Sequence, residues 1–344
     1  MKQTLQKAWL TRGWLACLLW PFAQVYGLAV RVRRALYRHG FLRSERFGIP
    51  VIVVGNVIAG GAGKTPLVIA LVKHLQSQHV KVGVISRGYG RASADCIEVT
   101  FVTSIDESGD EPALIKRATA APVFVANKRA EALRALLAAH PSTAVVVCDD
   151  GLQHYALRRD IEIAAFDDRG IGNGWLLPAG PLREPWPARK RQGLDLVLHT
   201  GRQAAFAGFT STRRLADEAY AMSGNRVALS SLQGRPVTAM AGIANPEAFF
   251  MMLRDSGLRL QTTLGLPDHH DFSDRDLAGL EGQIVLCTEK DAVKLFPLAE
   301  AARLEMLAVP LVFSPEPAFF AAFDALLAPR LSSPLPSKHG HQTA

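Results

Sequence analysis

The stretch Val51-Ile-Val-Val-Gly-Asn-Val-Ile-Ala-Gly-Gly-Ala-Gly-Lys-Thr-Pro66 limits what this chain can fold into more than any other. An apolar, β-branched run empties into a glycine-rich loop ending in Gly63, Lys64 and Thr65, so it reads as strand, phosphate loop and helix. Glycines at 60, 61 and 63 can take positive φ and let backbone N–H groups close around phosphate oxygens. Lys64 adds a point charge, and the Thr65 hydroxyl is a Mg²⁺ ligand type. The helix that starts here aims its positive end at the same anion. Asn56, Gly60, Gly61, Ala62, Gly63, Lys64, Thr65 and Pro66 are therefore the candidate nucleotide-binding residues, with ATP and Mg²⁺ as the expected ligands. The strict G-x-x-x-x-G-K-[ST] pattern wants glycine where the chain has Ile58, and Gly55 and the Gly60-Gly61 pair stand nearby instead. The alternative, an incidental Gly-Lys-Thr turn, is weakened by the apolar strand before it.

A chain of 344 residues, 49% hydrophobic and 20% charged, is globular and long enough for two domains. The four cysteines form no C-x-x-C pair, which argues against a disulfide framework or a zinc site and suits a reducing compartment. The net charge of +8 is local. Residues 1–46 hold nine basic residues and one acid, and the rest of the chain holds 30 of each sign. That excludes a globally basic nucleic-acid binder and directs the N-terminus toward an anionic surface.

Between those basic flanks, residues 13–30 are apolar except for Gln24. The stretch is marginal for a membrane span, contains Pro21, and as a span with an inside N-terminus would set the nucleotide site on the wrong side from ATP. A helix lying in or dipping into the membrane interface fits better. Trp9, Trp14 and Trp20 suit the headgroup zone, and Arg31, Arg33, Arg34 and Arg38 can each add roughly 1 kcal/mol against anionic lipid. An amphipathic helix packed on the protein's own core is the alternative.

Further on, a buried strand over 80–86 delivers Arg87-Gly-Tyr89-Gly-Arg91 at its C-terminal end, where ligands bind in parallel α/β sheets; a solvated glycine turn is the equal alternative. Asp110 opens a helix, a strand covers 122–126, and another helix begins near Asn127-Lys-Arg129; Asp110 and Asn127 could each be only N-caps. The run Ala144–Cys148 ends in Asp149 and Asp150, whose carboxylates face the phosphate loop and can complete a Mg²⁺ site with Thr65; a mere Asp-Asp-Gly turn is the alternative, weakened by the apolar strand before it. Prolines in the loop 176–185 can hold Arg183 and Glu184 rigidly, with a proline-rich surface connector as the ordinary alternative. The expected organisation is a basic membrane-associated helix (1–46), a P-loop NTPase-like parallel-sheet domain (47–201), a connection with a possible β-ribbon (202–234), a second, smaller α/β/α domain (235–330) and a disordered tail (331–344).

Taken together, Gly60–Pro66, Ser86–Arg91, Gly109–Pro112, Asp149–His154, Leu177–Glu184, Asp268–His270 and Thr288–Lys294 resemble the tetraacyldisaccharide 4′-kinase family of lipid A biosynthesis up to about residue 325. The resemblance implies transfer of the ATP γ-phosphate to the 4′-hydroxyl of an acylated disaccharide 1-phosphate lipid. It also implies two α/β/α domains closing over the site at the cytoplasmic face of the bacterial inner membrane, peripherally or shallowly inserted. Arg87, Tyr89, Arg129, Gln153, Arg183 and Glu184 are the substrate-binding residues on this view. The resemblance places a catalytic aspartate at Asp110, which a helix N-terminus would keep ionised, and pairs it with a histidine from the second domain, taken as His269 over His270. No nucleic acid and no obligate protein partner are inferred. The competing class is a P-loop regulatory NTPase or metal-delivery chaperone. Guanine specificity lacks its Asn-Lys-x-Asp, because Asn127-Lys-Arg-Ala130 has no aspartate.

Overall fold

Buried β-branched runs build the larger of two sheets, as expected where helices cover both faces of parallel strands. A computed structural model describes residues 8–61, 63–186 and 194–332. The strands are β1 (Val51–Gly55), β2 (Val82–Ser86), β3 (Ile97–Val99), β4 (Val123–Val125), β5 (Val145–Asp149), β6 (Ile161–Phe166), β7 (Leu196–His199), β8 (Phe209–Leu215), β9 (Glu218–Tyr220), β10 (Arg226–Ala228), β11 (Pro236–Ala241), β12 (Arg259–Gly265), β13 (Ile284–Thr288), β14 (Glu305–Val309) and β15 (Leu311–Pro315). Nine form the first sheet in the order β15-β8-β7-β6-β1-β5-β2-β4-β3, parallel from β8 to β4 and antiparallel at both edges. Alternate residues of β1 divide its faces. Ile52 and Val54 pack with Leu67 and Leu71 of the helix Lys64–Ser77, and Val51 and Val53 pack with Leu133 and Leu136 of the helix Arg129–Ala139.

The second sheet has the order β10-β9-β14-β13-β11-β12, with a parallel centre flanked by the helices Pro246–Asp255 and Glu289–Ala301. The sheets divide the chain differently from the expected boundaries. Residues 209–215, assigned to the connection, are a strand of the first sheet. The apolar run 306–313 is two strands in different sheets, broken at Pro310. The helix Pro317–Ser332 buries Phe319, Phe323 and Leu327 in the first sheet's core and runs past the expected start of the tail at 331. An apolar run reports that a segment is buried but not which sheet buries it. Residues 333–344, the rest of that tail, lie outside the described residues, as does Ala62.

The N-terminal helix Trp14–Arg38 is long and apolar enough to cross a membrane by length and composition. It packs on the protein through its small residues Ala16, Ala23 and Gly27; a Cβ on Gly27 would stand 2.7 Å from Leu176 Cδ1. Its large apolar residues Trp14, Leu18, Phe22, Val25, Leu28, Val32 and Leu36 form a stripe at helical spacing on the opposite face, exposed to solvent. The helix thus rests on the protein through its small residues and leaves its bulk outside.

Candidate active site

After β1 the chain turns through residues 56–63 into the helix Lys64–Ser77, with Gly60 and Gly63 at φ of +95° and +71°. These are left-handed angles that glycine adopts without Cβ strain. Ile58, at the position the strict motif gives to glycine, is fully buried and bridges Leu182, so the departure is a core contact. Asn56 fastens the loop from inside. Its Nδ2 donates to Gly60 O at 2.8 Å, and its Oδ1 accepts from Lys64 Nζ at 3.4 Å and Arg183 Nη1 at 3.3 Å. Arg169, clasped by Asp167, donates to the carbonyls of Ala59 and Gly61. Pro66 has no N–H to offer phosphate and instead shapes the first helical turn, where that donor would be orphaned anyway.

The pairing of Val54 with Asp149 brings the end of β5 beside this loop. Lys64 Nζ and Arg183 Nη1 lie 3.6 and 3.5 Å from Asp150 Oδ1. Asp149 is fully buried; its Oδ2 accepts from the Ser86 hydroxyl at 3.2 Å, while its Oδ1 has no hydrogen-bond partner. Burial first, then the charges of Glu111 and Asp150, push its pKa up to about 7. An orphaned carboxylate oxygen beside a phosphate loop suits a hard cation, so the donor set Thr65, Asp149 and Asp150 fits Mg²⁺. Among the described residues no three His, Cys, Asp or Glu side chains gather as a metal cluster, so such an ion would take its remaining ligands from phosphate and water.

On the next loop, Gly109 (φ +84°) packs against the backbone of Gly88 and Tyr89 and caps the helix Asp110–Thr119, so Asp110 is the first helical residue and not the cap. Both Asp110 oxygens meet the second sheet's helices and loops: Oδ2 lies 3.1 Å from His269 Nδ1 and Oδ1 lies 3.1 Å from Lys294 Nζ. Burial raises the Asp110 pKa, but the His269 hydrogen bond and the Lys294 ammonium outweigh it and hold the carboxyl below its usual value. His269 sits in a left-handed turn (φ +61°), tied by its N–H to Gly242 O, and its ring lies 5.5 Å from that of Tyr89. His270 turns away to Asp276 at 3.2 Å. Asp268 faces His269 Nε2 at 3.8 Å and Lys290 at 2.8 Å. The second unit also reaches the phosphate loop directly, since a Cβ on Gly61 would stand 3.4 Å from Ala244.

Of the six expected substrate contacts, Arg87 and Tyr89 are exposed after β2, and Arg183 bridges Asn56 and Asp150. The other three are held by partners within the protein. Arg129 is 4% exposed and donates to the carbonyls of Asp149 and Asp150 at 3.4 and 3.2 Å. Gln153 commits its amide to Asn56 O and Glu184 Oε1, and Glu184, 1% exposed, accepts also from Tyr155. Gln153 and Glu184 line a cavity with Arg183, Tyr155, Tyr26 and Arg33, beside the N-terminal helix. Ser86 and Lys294 were not singled out for roles although both stood inside the quoted motifs; their partners, Asp149 and Asp110, are distant in sequence.

The model of the tetraacyldisaccharide-1-P 4′-kinase family matches residues 15–328. A Polaromonas sp. strain JS666 protein named tetraacyldisaccharide 4′-kinase is 72% identical over 98% of this chain and 100% of its own length. Its namesake from Polaromonas naphthalenivorans is 70% identical over the whole of both chains. The crystal structure of apo-form LpxK from Aquifex aeolicus in complex with ATP superposes with a TM-score of 0.78 at 29% identity, covering 92% of this chain and 99% of that one. Sequence motifs, fold and full-length similarity agree, and the chain belongs to the tetraacyldisaccharide 4′-kinase family.

Proposed function

We propose that the chain transfers the γ-phosphate of ATP to the 4′-hydroxyl of a tetraacylated disaccharide 1-phosphate, giving the bis-phosphorylated lipid A precursor. The observation that carries this reading is the Asp110–His269 contact at 3.1 Å, linked to the phosphate loop through Gly109, Gly88, Ser86 and Asp149. A regulatory NTPase needs the loop and metal carboxylates but no ionised base held from a second unit.

On this reading the loop N–H groups and Lys64 hold the nucleotide phosphates, and Thr65, Asp149 and Asp150 hold Mg²⁺. The metal supplies charge neutralisation to the transferring phosphoryl group. Asp110 accepts the proton of the attacking hydroxyl, for which a placed base contributes roughly 10²–10⁴ in rate. His269 and Lys294 keep the carboxylate oriented and ionised. Both come from the second unit, so its withdrawal leaves the base without partners and limits hydrolysis in the absence of lipid.

The exposed apolar stripe and the arginines following it support placement on anionic lipid at the cytoplasmic face of the inner membrane. An acylated disaccharide remains in the bilayer, so the enzyme must come to it. The decisive test uses γ-labelled ATP with the acylated disaccharide 1-phosphate in mixed micelles. Label is expected in the lipid, and label released only as inorganic phosphate would overturn the reading.

A further inference from the structure

We infer that Arg213 is a further phosphate-contacting residue, reaching the nucleotide's polyphosphate from β8 across the outer side of the phosphate loop. This inference rests on the kinase reading above.

The guanidinium of Arg213 fills the space over Gly63. A Cβ built on that glycine would collide with Arg213 Nη2 and would stand 3.0 Å from Thr200 Oγ1 at the end of β7. Gly63 is thus required twice, for its left-handed backbone and for the close approach of this arginine. The cations around the loop differ in how their charge is met. Arg169 is chelated by Asp167, and Lys64 and Arg183 share Asp150. Arg213 has no hydrogen bond or ion pair among the described residues. Its guanidinium carbon lies 5.7 Å from the centroid of Phe313, its partner in the antiparallel pairing of β8 with β15.

The side chain remains accessible to solvent, yet its head is crowded by protein. That crowding lowers its pKa, and Asp167 and Asp168 oppose the shift from beyond ion-pair distance. A cation held next to a phosphate loop without a carboxylate of its own is matched by an anion arriving from outside, and the polyphosphate is the anion this loop is built for. Arg214, one residue along the strand, faces the other way onto Asp217.

The test is ATP binding by calorimetry and steady-state kinetics on full-length Arg213→Met and Arg213→Lys, with Arg214→Met as a control of equal charge change. Loss of a hydrogen bond to a charged group predicts ATP binding weakened about tenfold or more in Arg213→Met. The KM for the lipid acceptor and the binding of Arg214→Met should match wild type. Arg213→Lys, which keeps the charge but loses the fork, should fall between. If Arg213→Met does not fold, Arg213→Lys carries the test. ATP affinity within twofold of wild type in the folded variant, with or without a lower Tm, makes Arg213 a brace on Phe313 and overturns the inference alone. A wild-type protein that binds no ATP overturns the kinase reading and this inference with it.

Discussion

Lys294 Nζ lies 3.1 Å from Asp110 Oδ1, and the two residues belong to units built on different sheets. One carboxylate therefore joins the two halves of the molecule, with His269 on its other oxygen. On the proposed reading, the contact that joins the two units also holds the base.

Asp110→Ala is expected to lower kcat by about 10² or more while ATP affinity stays close to wild type. His269→Ala should give a smaller loss that does not add fully to the first, because both act on one proton transfer. Single-turnover rates with bound ATP check this. An Asp110→Ala variant that is merely less stable, with kcat per folded molecule intact, would place the base elsewhere.

Lys294→Met should move the acid limb of the kcat/KM profile to higher pH. The ammonium helps hold the Asp110 pKa below its ordinary value, so its removal lets the base protonate sooner as pH falls. The sign for stability agrees. A depressed folded pKa adds stability above the unfolded pKa, which is lost as pH falls through the folded value. An unmoved acid limb would detach Lys294 from the base.

Lys64→Ala should abolish most transfer, since Lys64 is the buried cation between Asn56 and Asp150. Asn substitution of Asp149 and of Asp150, read in a Mg²⁺ titration of activity, should raise the metal requirement for at least one of them. A Mg²⁺ requirement unchanged from wild type in both variants would remove the pair from the metal site.

Leu18→Gln combined with Phe22→Gln should release the protein from anionic vesicles while leaving Tm nearly unchanged, because both side chains face solvent. Gly27→Val should do the opposite to the fold. Its added bulk meets Leu176 and should cost about 1–3 kcal/mol in denaturant unfolding.

Phe323→Ala should destabilise the first sheet by about 3–5 kcal/mol. A cost below 1 kcal/mol would show that the C-terminal helix does not complete that core.

The sequence alone determined the local devices. An apolar strand, three glycines and Lys64-Thr65 specify a phosphate loop wherever they fold, because backbone geometry and charge act over a few residues. The acidic pair at the end of β5 and the basic N-terminus were legible for the same reason, whereas Asp110 stood out only through the family resemblance. Tertiary structure decided everything that depends on direction or on distant partners. Arg129 and Glu184 are buried, Ile58 enters the core, and residues 306–313 divide between two sheets. The N-terminal helix turns its small residues to the protein and its large ones to solvent, which no hydropathy average contains. Lys294 reaches Asp110, and Arg213 reaches Gly63, only because the packed sheets set the chain's remote segments side by side.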